Sequence, residues 1–348
     1  MNLIKGFKRN LLSTSLNPNV FHLILFPTEQ CNFRCVYCYE DFNIGAMEPW
    51  LIQAIKQFLE TKIPQLTVLS LNWFGGEPLL AKNILFELAE YAFALAKKNN
   101  VKLKGDLTTN GLLLDVNTLT RLVELKQTHF QISIDGDAEH HDTTRITRTG
   151  KGSFDKIWNR LLDASNTDLD FTVTLRIHVT ALNQASVHRF CKLHEQHLKY
   201  DKRFKLFFKA IEDLGGEKQE KLTTLLDAGK PREVAAELQQ QYAPIAEKGK
   251  PICYAAKPNS LAIRANGNLN KCTVALKDDH NHIGKILPDG KLEVANEKFS
   301  TWLSGFEGLD AWKLGCPHSF FKSQQAKSQK AKLKKHVGDL NIPIIEVA

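Results

Sequence analysis

The sequence predicts an α/β chain: a partial (β/α)6 TIM-like barrel followed by a small C-terminal α+β domain. Between residues 21 and 210, short apolar runs rich in β-branched and aromatic residues alternate with amphipathic stretches, which is the rhythm of a parallel sheet. There are six such runs, too few to close an eight-stranded barrel. Near residue 250 the character changes to short strand pairs with turns at Asn266-Gly267 and Asp289-Gly290.

The strand candidates are 21–27, 67–74, 101–108, 129–134, 171–180 and 204–210, each six to ten residues long and bounded by polar or Gly-containing segments. Between them, apolar residues recur at helical spacing over 48–63, 81–98, 116–125, 154–165 and 184–197. The predicted organisation is a barrel over 1–213, a charged helical bridge over 214–250 broken at Gly215-Gly216 and Pro231, an auxiliary domain over 251–322 and a basic tail over 323–348. No internal repeat stands out.

The 348 residues suffice for one large domain with an appendage. No run of 18 apolar residues exists, so no membrane span is expected, and residues 1–19 lack the apolar core of a secretory signal. A cytoplasmic location follows as the expectation. The formal net charge is +8, but the excess is dispersed apart from Lys327, Lys330, Lys332, Lys334 and Lys335. Without a nucleic-acid motif this reads as a solvated surface and a flexible basic tail, with attraction for an acidic peptide as the functional alternative, and nucleic acid is not expected.

Seven cysteines occupy positions 31, 35, 38, 191, 253, 272 and 316. An odd number, three of them within eight residues and with no export signal, favours metal or cluster ligation over disulfides. Cys31, Cys35 and Cys38 follow the first strand on a loop, where three thiolates can face one point. A cubane iron–sulfur cluster takes four protein sulfurs, so a triplet leaves one iron open to a small molecule. By spacing alone, zinc or plain buried cysteines remain alternatives. Three further motifs end successive strands, Gly75-Gly76-Glu77-Pro78, Thr108-Thr109-Asn110-Gly111 and Ser133-Ile134-Asp135-Gly136, and a group of His141-Asp142, Arg145 and Gly150–Phe154 follows the last. Each alone is an ordinary turn, cap or surface ion pair; barrel active sites collect at such strand ends.

The run Pro27-Thr28-Glu29-Gln30-Cys31-Asn32-Phe33-Arg34-Cys35-Val36-Tyr37-Cys38-Tyr39-Glu40 resembles the signature of radical SAM enzymes, most closely the peptide-modifying branch with a C-terminal SPASM or twitch domain. The resemblance implies a [4Fe–4S] cluster on Cys31, Cys35 and Cys38, its open iron chelating S-adenosylmethionine (SAM). It implies Tyr37 beside the adenine, Gly75, Gly76 and Glu77 at the SAM amino group, Asn110 close to SAM, Ser133 at the ribose and Arg145 at the carboxylate. Arg176 on the fifth strand points either into the barrel toward SAM or outward.

Cys253, then Gly267-x4-Cys272 with His282-Ile283-Gly284-Lys285-Ile286, then Cys316-Pro317, resemble the cysteine framework of SPASM and twitch domains. No cysteine follows Cys316, so two auxiliary clusters lack ligands. The resemblance implies one auxiliary Fe–S cluster on Cys253, Cys272 and Cys316, with His280, His282, His318, Cys191, water or substrate as the fourth ligand; a domain without a cluster is the other reading. Cys191, in a helical run, reads as a buried structural thiol, with hydrogen donation as its weaker alternative. Sulfatase maturases place a carboxylate directly after the G-x4-C cysteine; here Thr273 stands there, which argues against that activity.

The implied function is maturation of a ribosomal precursor peptide, by radical hydrogen abstraction and cross-linking. The implied partners are that peptide and a flavodoxin, ferredoxin or reductase as electron donor; with only about 20 residues before the first strand, either a separate leader-binding protein presents the peptide or the barrel edge and basic surface bind it directly. A radical enzyme of small metabolites, and a non-enzymatic iron–sulfur or zinc protein, are the alternatives.

Overall fold

The computed structural model describes residues 9–180, 182–214, 230–244 and 251–325. The Gly215-Gly216 break and the basic lysines from Lys327 onward lie outside the described residues.

Six parallel strands form the barrel wall: β1 (Val20–Leu25), β2 (Val68–Trp73), β3 (Lys102–Thr109), β4 (Gln127–Ile134), β5 (Thr172–Val179) and β6 (Phe204–Ala210). They pair in chain order, β1 to β6, and the crossovers are α2 (Pro49–Lys62), α3 (Lys82–Lys98), α4 (Val116–Glu124), α6 (Phe154–Ser165) and α7 (Gln184–His197). Two further helices, α1 (Arg9–Leu16) and α5 (Ala138–Thr144), precede β1 and follow β4. The α/β expectation holds, and the six strand positions hold to within one residue at all but two ends, β1's C-terminal and β4's N-terminal, which differ by two. Helix α5 lies outside the predicted elements. Its seven residues carry only polar and small side chains, AEHHDTT, so no apolar period marks it, and its N-cap Asp137 accepts from the His140 amide.

Parallel strands are commonly covered on both faces and read as continuous apolar runs. Here β5 alternates instead: Val173, Leu175, Ile177 and Val179 are buried, while Thr172, Thr174, Arg176 and His178 are half-buried. One face packs on the helices; the other is polar and turns inward. The same division places Leu107, Phe130, Ile132 and Ile134 in the core and Thr108, Gln131 and Ser133 on the inner wall. The helices answer with one apolar stripe each, such as Leu51, Ile55, Phe58 and Leu59 on α2. Burying a leucine or phenylalanine side chain there contributes about 1.5–3 kcal/mol.

The chain after residue 250 continues the barrel's own sheet. Strand β7 (Ser260–Ile263) pairs parallel with β1, Leu23 opposite Leu261. Strands β8 (Asn268–Asn270), β9 (His282–Ile286) and β10 (Leu292–Val294) then extend it antiparallel, giving ten strands in the order β10-β9-β8-β7-β1-β2-β3-β4-β5-β6. The cysteine framework after residue 250 is thereby hydrogen-bonded to the strand that precedes the first cysteine triplet. Helix α8 (Pro231–Tyr242), the described part of the bridge, covers β6: Gln239 Oε1 accepts from the Phe208 amide at 3.0 Å.

Candidate cluster and cofactor site

The Cys31–Cys38 loop leaves the end of β1 and is pinned on three sides. Residues 144–148 run beside it: Arg34 donates its amide to the Ile146 carbonyl at 2.7 Å, Val36 to Thr144 at 3.0 Å, and Arg148 to Asn32 at 2.7 Å. The glycine pair after β2 closes the second side. A Cβ on Gly75 would meet the Thr28 carbonyl at 2.3 Å, and one on Gly76 the Gln30 carbonyl at 2.4 Å. Gly75 also has φ +112, a conformation open to glycine. These glycines therefore let two backbones touch. On the third side Glu29, 1% exposed, makes a bidentate ion pair with Arg264 beyond β7, which ties the loop to the C-terminal strands.

Cys31, Cys35 and Cys38 all line one cavity of about 480 Å³ at the C-terminal ends of the barrel strands. Burial pushes the Cys31 thiol up to about 12 and that of Cys38 further. Uncharged thiols in a pocket are costly ligands until a cation offsets that penalty, as a bound metal does. Three thiols converging on one cavity, one short of the four that saturate a cubane, suit a cluster with one open iron.

The rest of the wall fits an anionic, zwitterionic ligand. Arg145 is 6% exposed, donates Nη1 to the Tyr37 hydroxyl at 2.9 Å, and leaves Nε with no partner. Arg176 also faces inward from β5 with an unpartnered Nε, which resolves its two readings in favour of the barrel interior. Two guanidinium groups with free donors suit a carboxylate. Ser133 lies on the wall opposite Arg176 in register. Asn110 lines the same cavity and donates to Asn32 Oδ1 at 2.7 Å. Glu77 sits behind the wall: fully buried, it accepts from the Leu79 amide at 2.9 Å, the Thr109 hydroxyl at 2.8 Å and the Asn110 amide at 2.7 Å. Its carboxylate locks the ends of β2 and β3 together.

Tyr37 is the centre of a network that the motifs did not reveal. Its hydroxyl donates to Asp135 Oδ1 at 2.8 Å and lies 2.9 Å from His178 Nδ1. Burial opposes ionisation of Asp135, but the hydrogen bond and charge of His178 and the charge of Arg145 outweigh it and hold the carboxyl well below its usual range. The Thr144 hydroxyl adds a hydrogen bond at 2.6 Å. Asp135 was legible only as a turn cap; the signal for more was His178, two residues after Arg176 on the same inward face. Burial and the Arg145 charge pull the His141 imidazole down to about 4, and its Nε2 meets Ser153 Oγ at 3.1 Å. Ser153 in turn donates to the Arg145 carbonyl at 3.0 Å, so the His141 to Phe154 group holds Arg145 in place. Burial, with Glu29 beside it, pushes Glu40 on the wall up to about 8.

The structure brings Cys253, Cys272 and Cys316 into one electrostatic neighbourhood. Cys253 donates its amide to the Leu314 carbonyl at 2.8 Å; Cys272 donates its amide to Asn281 Oδ1 at 2.8 Å. None of the three lines the central cavity, though their neighbours Tyr254 and Thr273 do, joined by a 2.8 Å hydroxyl contact. His282 on β9 is exposed, whereas His318 is 6% exposed. Cys191 is fully buried in the core on α7 with Val187 and Phe190, away from the cavity wall.

Residues 25–193 match the family model described as the Radical SAM superfamily. The chain carries a radical SAM domain, the enzyme domain that works with a [4Fe–4S] cluster and SAM. It is 27% identical over 178 residues to the GTP 3′,8-cyclase of Desulforamulus reducens, covering 50% of this chain and 50% of that one. It is 24% identical over 204 residues to the cysteine-type anaerobic sulfatase-maturating enzyme of Clostridium novyi, covering 55% and 51%. The chain spans about half or less of the length of the curated relatives it matches. The solved structure of native anSMEcpe with bound AdoMet and Cp18Cys peptide shares the fold, with a TM-score of 0.55, 21% identity, and coverage of 81% of this chain and 80% of that one. No described helix is long and apolar enough to cross a membrane.

Proposed function

We propose that this chain is a peptide-modifying radical SAM enzyme whose reaction starts in the cavity at the mouth of the barrel. The observation that carries the reading is the composition of that one cavity: the cysteine triplet, the Tyr37–Arg145 pair and the C-terminal residues Tyr254, Thr273 and Val274 share its wall. When bound, the cluster and SAM supply a 5′-deoxyadenosyl radical and thereby hydrogen abstraction from an unactivated carbon.

The residues of this chain hold and shield that chemistry. Cys31, Cys35 and Cys38 would hold the cluster, three thiolates being one short of the four that saturate it. Arg145 and Arg176 take the SAM carboxylate, Tyr37 borders the adenine, and Ser133 and Asn110 contact the nucleoside side. Gly75 and Gly76 seat the cysteine loop, and Glu77 fixes the strand ends behind it. The Asp135–His178 pair fixes the Tyr37 hydroxyl, so the ring's position is set before SAM arrives. Tyr254 and Thr273 bring the C-terminal strands to the substrate side. Cys253, Cys272 and Cys316 would hold an auxiliary cluster, which would supply an electron acceptor for an oxidative cross-link. A flavodoxin-like or ferredoxin-like donor is supported by a second groove of about 490 Å³ that reaches Cys31 from outside and carries Arg148, Lys151 and Lys156. These exposed cations suit an acidic redox protein.

The peptide reading draws on the fold shared with a peptide-bound structure; the cyclase relative favours a small-molecule substrate as the second reading. Anaerobic incubation of the reconstituted protein with SAM and reductant tests the first step, with 5′-deoxyadenosine expected. Adding candidate precursor peptides encoded beside the gene tests the second, with a loss of two mass units per cross-link expected by simple hydrogen count. Absence of 5′-deoxyadenosine sinks the enzyme assignment; its formation with a nucleotide and never with a peptide sinks the peptide reading.

A further inference from the structure

We propose that Asp278, His280 and His318 form a mononuclear site for a divalent transition-metal ion, of the zinc class, distinct from both cysteine sets. One oxygen or nitrogen from each of these three side chains lies within 4.8 Å of the others. The residues come from two elements: the turn between β8 and β9 supplies Asp278 and His280, and the helix that begins at residue 317 supplies His318.

The imidazoles are arranged as ligands and not as hydrogen-bonding groups. His280 Nε2 and both ring nitrogens of His318 are buried and have no hydrogen-bond partner, a costly state for a polar atom unless something binds there. His318 Nδ1 lies 3.4 Å from Asp278 Oδ2 without a hydrogen bond. That matches the edge of a tetrahedron built from metal–nitrogen and metal–oxygen bonds of about 2.1 Å, which is about 3.4 Å long. Two imidazoles and one carboxylate form a donor set favoured by zinc and ferrous ions, with at least one position left for water.

The ring planes are held. His280 stacks on Trp302, centroids 5.4 Å apart, and meets the edge of Phe321 at 4.8 Å. The His280 carbonyl accepts from Trp302 Nε1 at 3.0 Å, and His280 and His318 lie nearly parallel, 21° apart. Next in the chain, Asn281 brackets Cys272, accepting its amide and donating Nδ2 to its carbonyl at 2.8 Å. His318 follows Cys316 by two residues. An ion here would staple the Cys272 loop to the Cys316 helix and so set the distance between two cysteines from outside their own ligand sphere. This inference does not depend on the reaction proposed above.

The test uses the full chain with its iron–sulfur clusters reconstituted, titrated anaerobically with zinc and examined by zinc-edge X-ray absorption. One zinc per chain with only nitrogen and oxygen ligands is expected. The isosteric Asp278→Asn and the His318→Ala variants should each bind zinc at least tenfold more weakly, with far-UV dichroism unchanged, while Cys272→Ala keeps the nitrogen–oxygen signal. Sulfur in the zinc shell, or unchanged affinity in both ligand variants, overturns the proposal. So does loss of iron in place of zinc from His318→Ala, which would make His318 a cluster ligand. None of these readouts uses SAM cleavage, so failure here and failure of the proposed reaction are separable.

Discussion

The molecule carries two sets of three cysteines, and they sit in opposite surroundings. Cys31, Cys35 and Cys38 open onto the barrel cavity beside two arginines with free donors. Cys253, Cys272 and Cys316 lie outside that wall, Cys272 buried and the other two half-buried. A cluster with room for a ligand does chemistry at the ligand, whereas an enclosed one holds structure or relays electrons. The difference is one of access, since burial raises the thiols Cys31 and Cys253 alike.

Breaking each set in turn gives the largest contrast. Cys35→Ala should abolish 5′-deoxyadenosine formation, a drop of at least about 10³-fold, whereas Cys272→Ala should keep it within about tenfold and lose substrate modification. Anaerobic product analysis with matched iron content reads both. Equal loss in the two variants would remove the distinction between the sets.

A smaller effect is expected from the cavity's cation. Arg145→Ala removes the partner of the Tyr37 hydroxyl and a carboxylate donor. It should weaken SAM binding by about 30- to 100-fold, or about 2–3 kcal/mol. Arg145→Lys should not restore it, because a single ammonium cannot hold Tyr37 and a carboxylate in the same fork geometry. Equilibrium binding of SAM measures this.

The seat of the triplet comes next. Gly76→Ala would drive a methyl against the Gln30 and Glu29 carbonyls, 2.4 and 2.7 Å away. Both are backbone, so the cysteine loop must shift, at about 1–3 kcal/mol. Cluster occupancy should fall in this variant, while Gly315→Ala, with nothing within 4 Å, leaves it unchanged. Iron and sulfide analysis after reconstitution compares them.

The effect that is smallest at neutral pH is a pH dependence. His141 is held near 4 in the folded chain against 6.5 unfolded. The unfolded chain therefore binds more protons between these values, so the stability His141 contributes is complete above about pH 6.5 and is lost as the pH falls toward 4. The expected loss is up to about 3 kcal/mol. His141→Gln should flatten that part of the profile in denaturant melts at pH 7 and pH 5; an unchanged slope would assign the acid sensitivity elsewhere.

The strands were legible because each run is apolar and each is followed by turn chemistry; α5 was not, because its stability comes from an Asp137 cap and the burial of His141. The motif residues were legible by type, and the structure changes what several of them do. Gly75 and Gly76 serve contact between two backbones, and Glu77 spends its carboxylate on Leu79, Thr109 and Asn110. The link between Tyr37, Asp135 and His178 spans 141 residues of sequence. No local pattern reports it.

Local sequence suffices for the six-strand rhythm, the three-cysteine loop and the order of motifs at strand ends, because periodicity and spacing are local properties of a chain. Tertiary structure decided which side of a strand each polar residue faces, that β7 joins the C-terminal cysteine framework to β1, and that only one cysteine set meets the cavity. Those outcomes depend on strand pairing and on burial between distant segments, where register and packing select among arrangements that the local sequence permits equally.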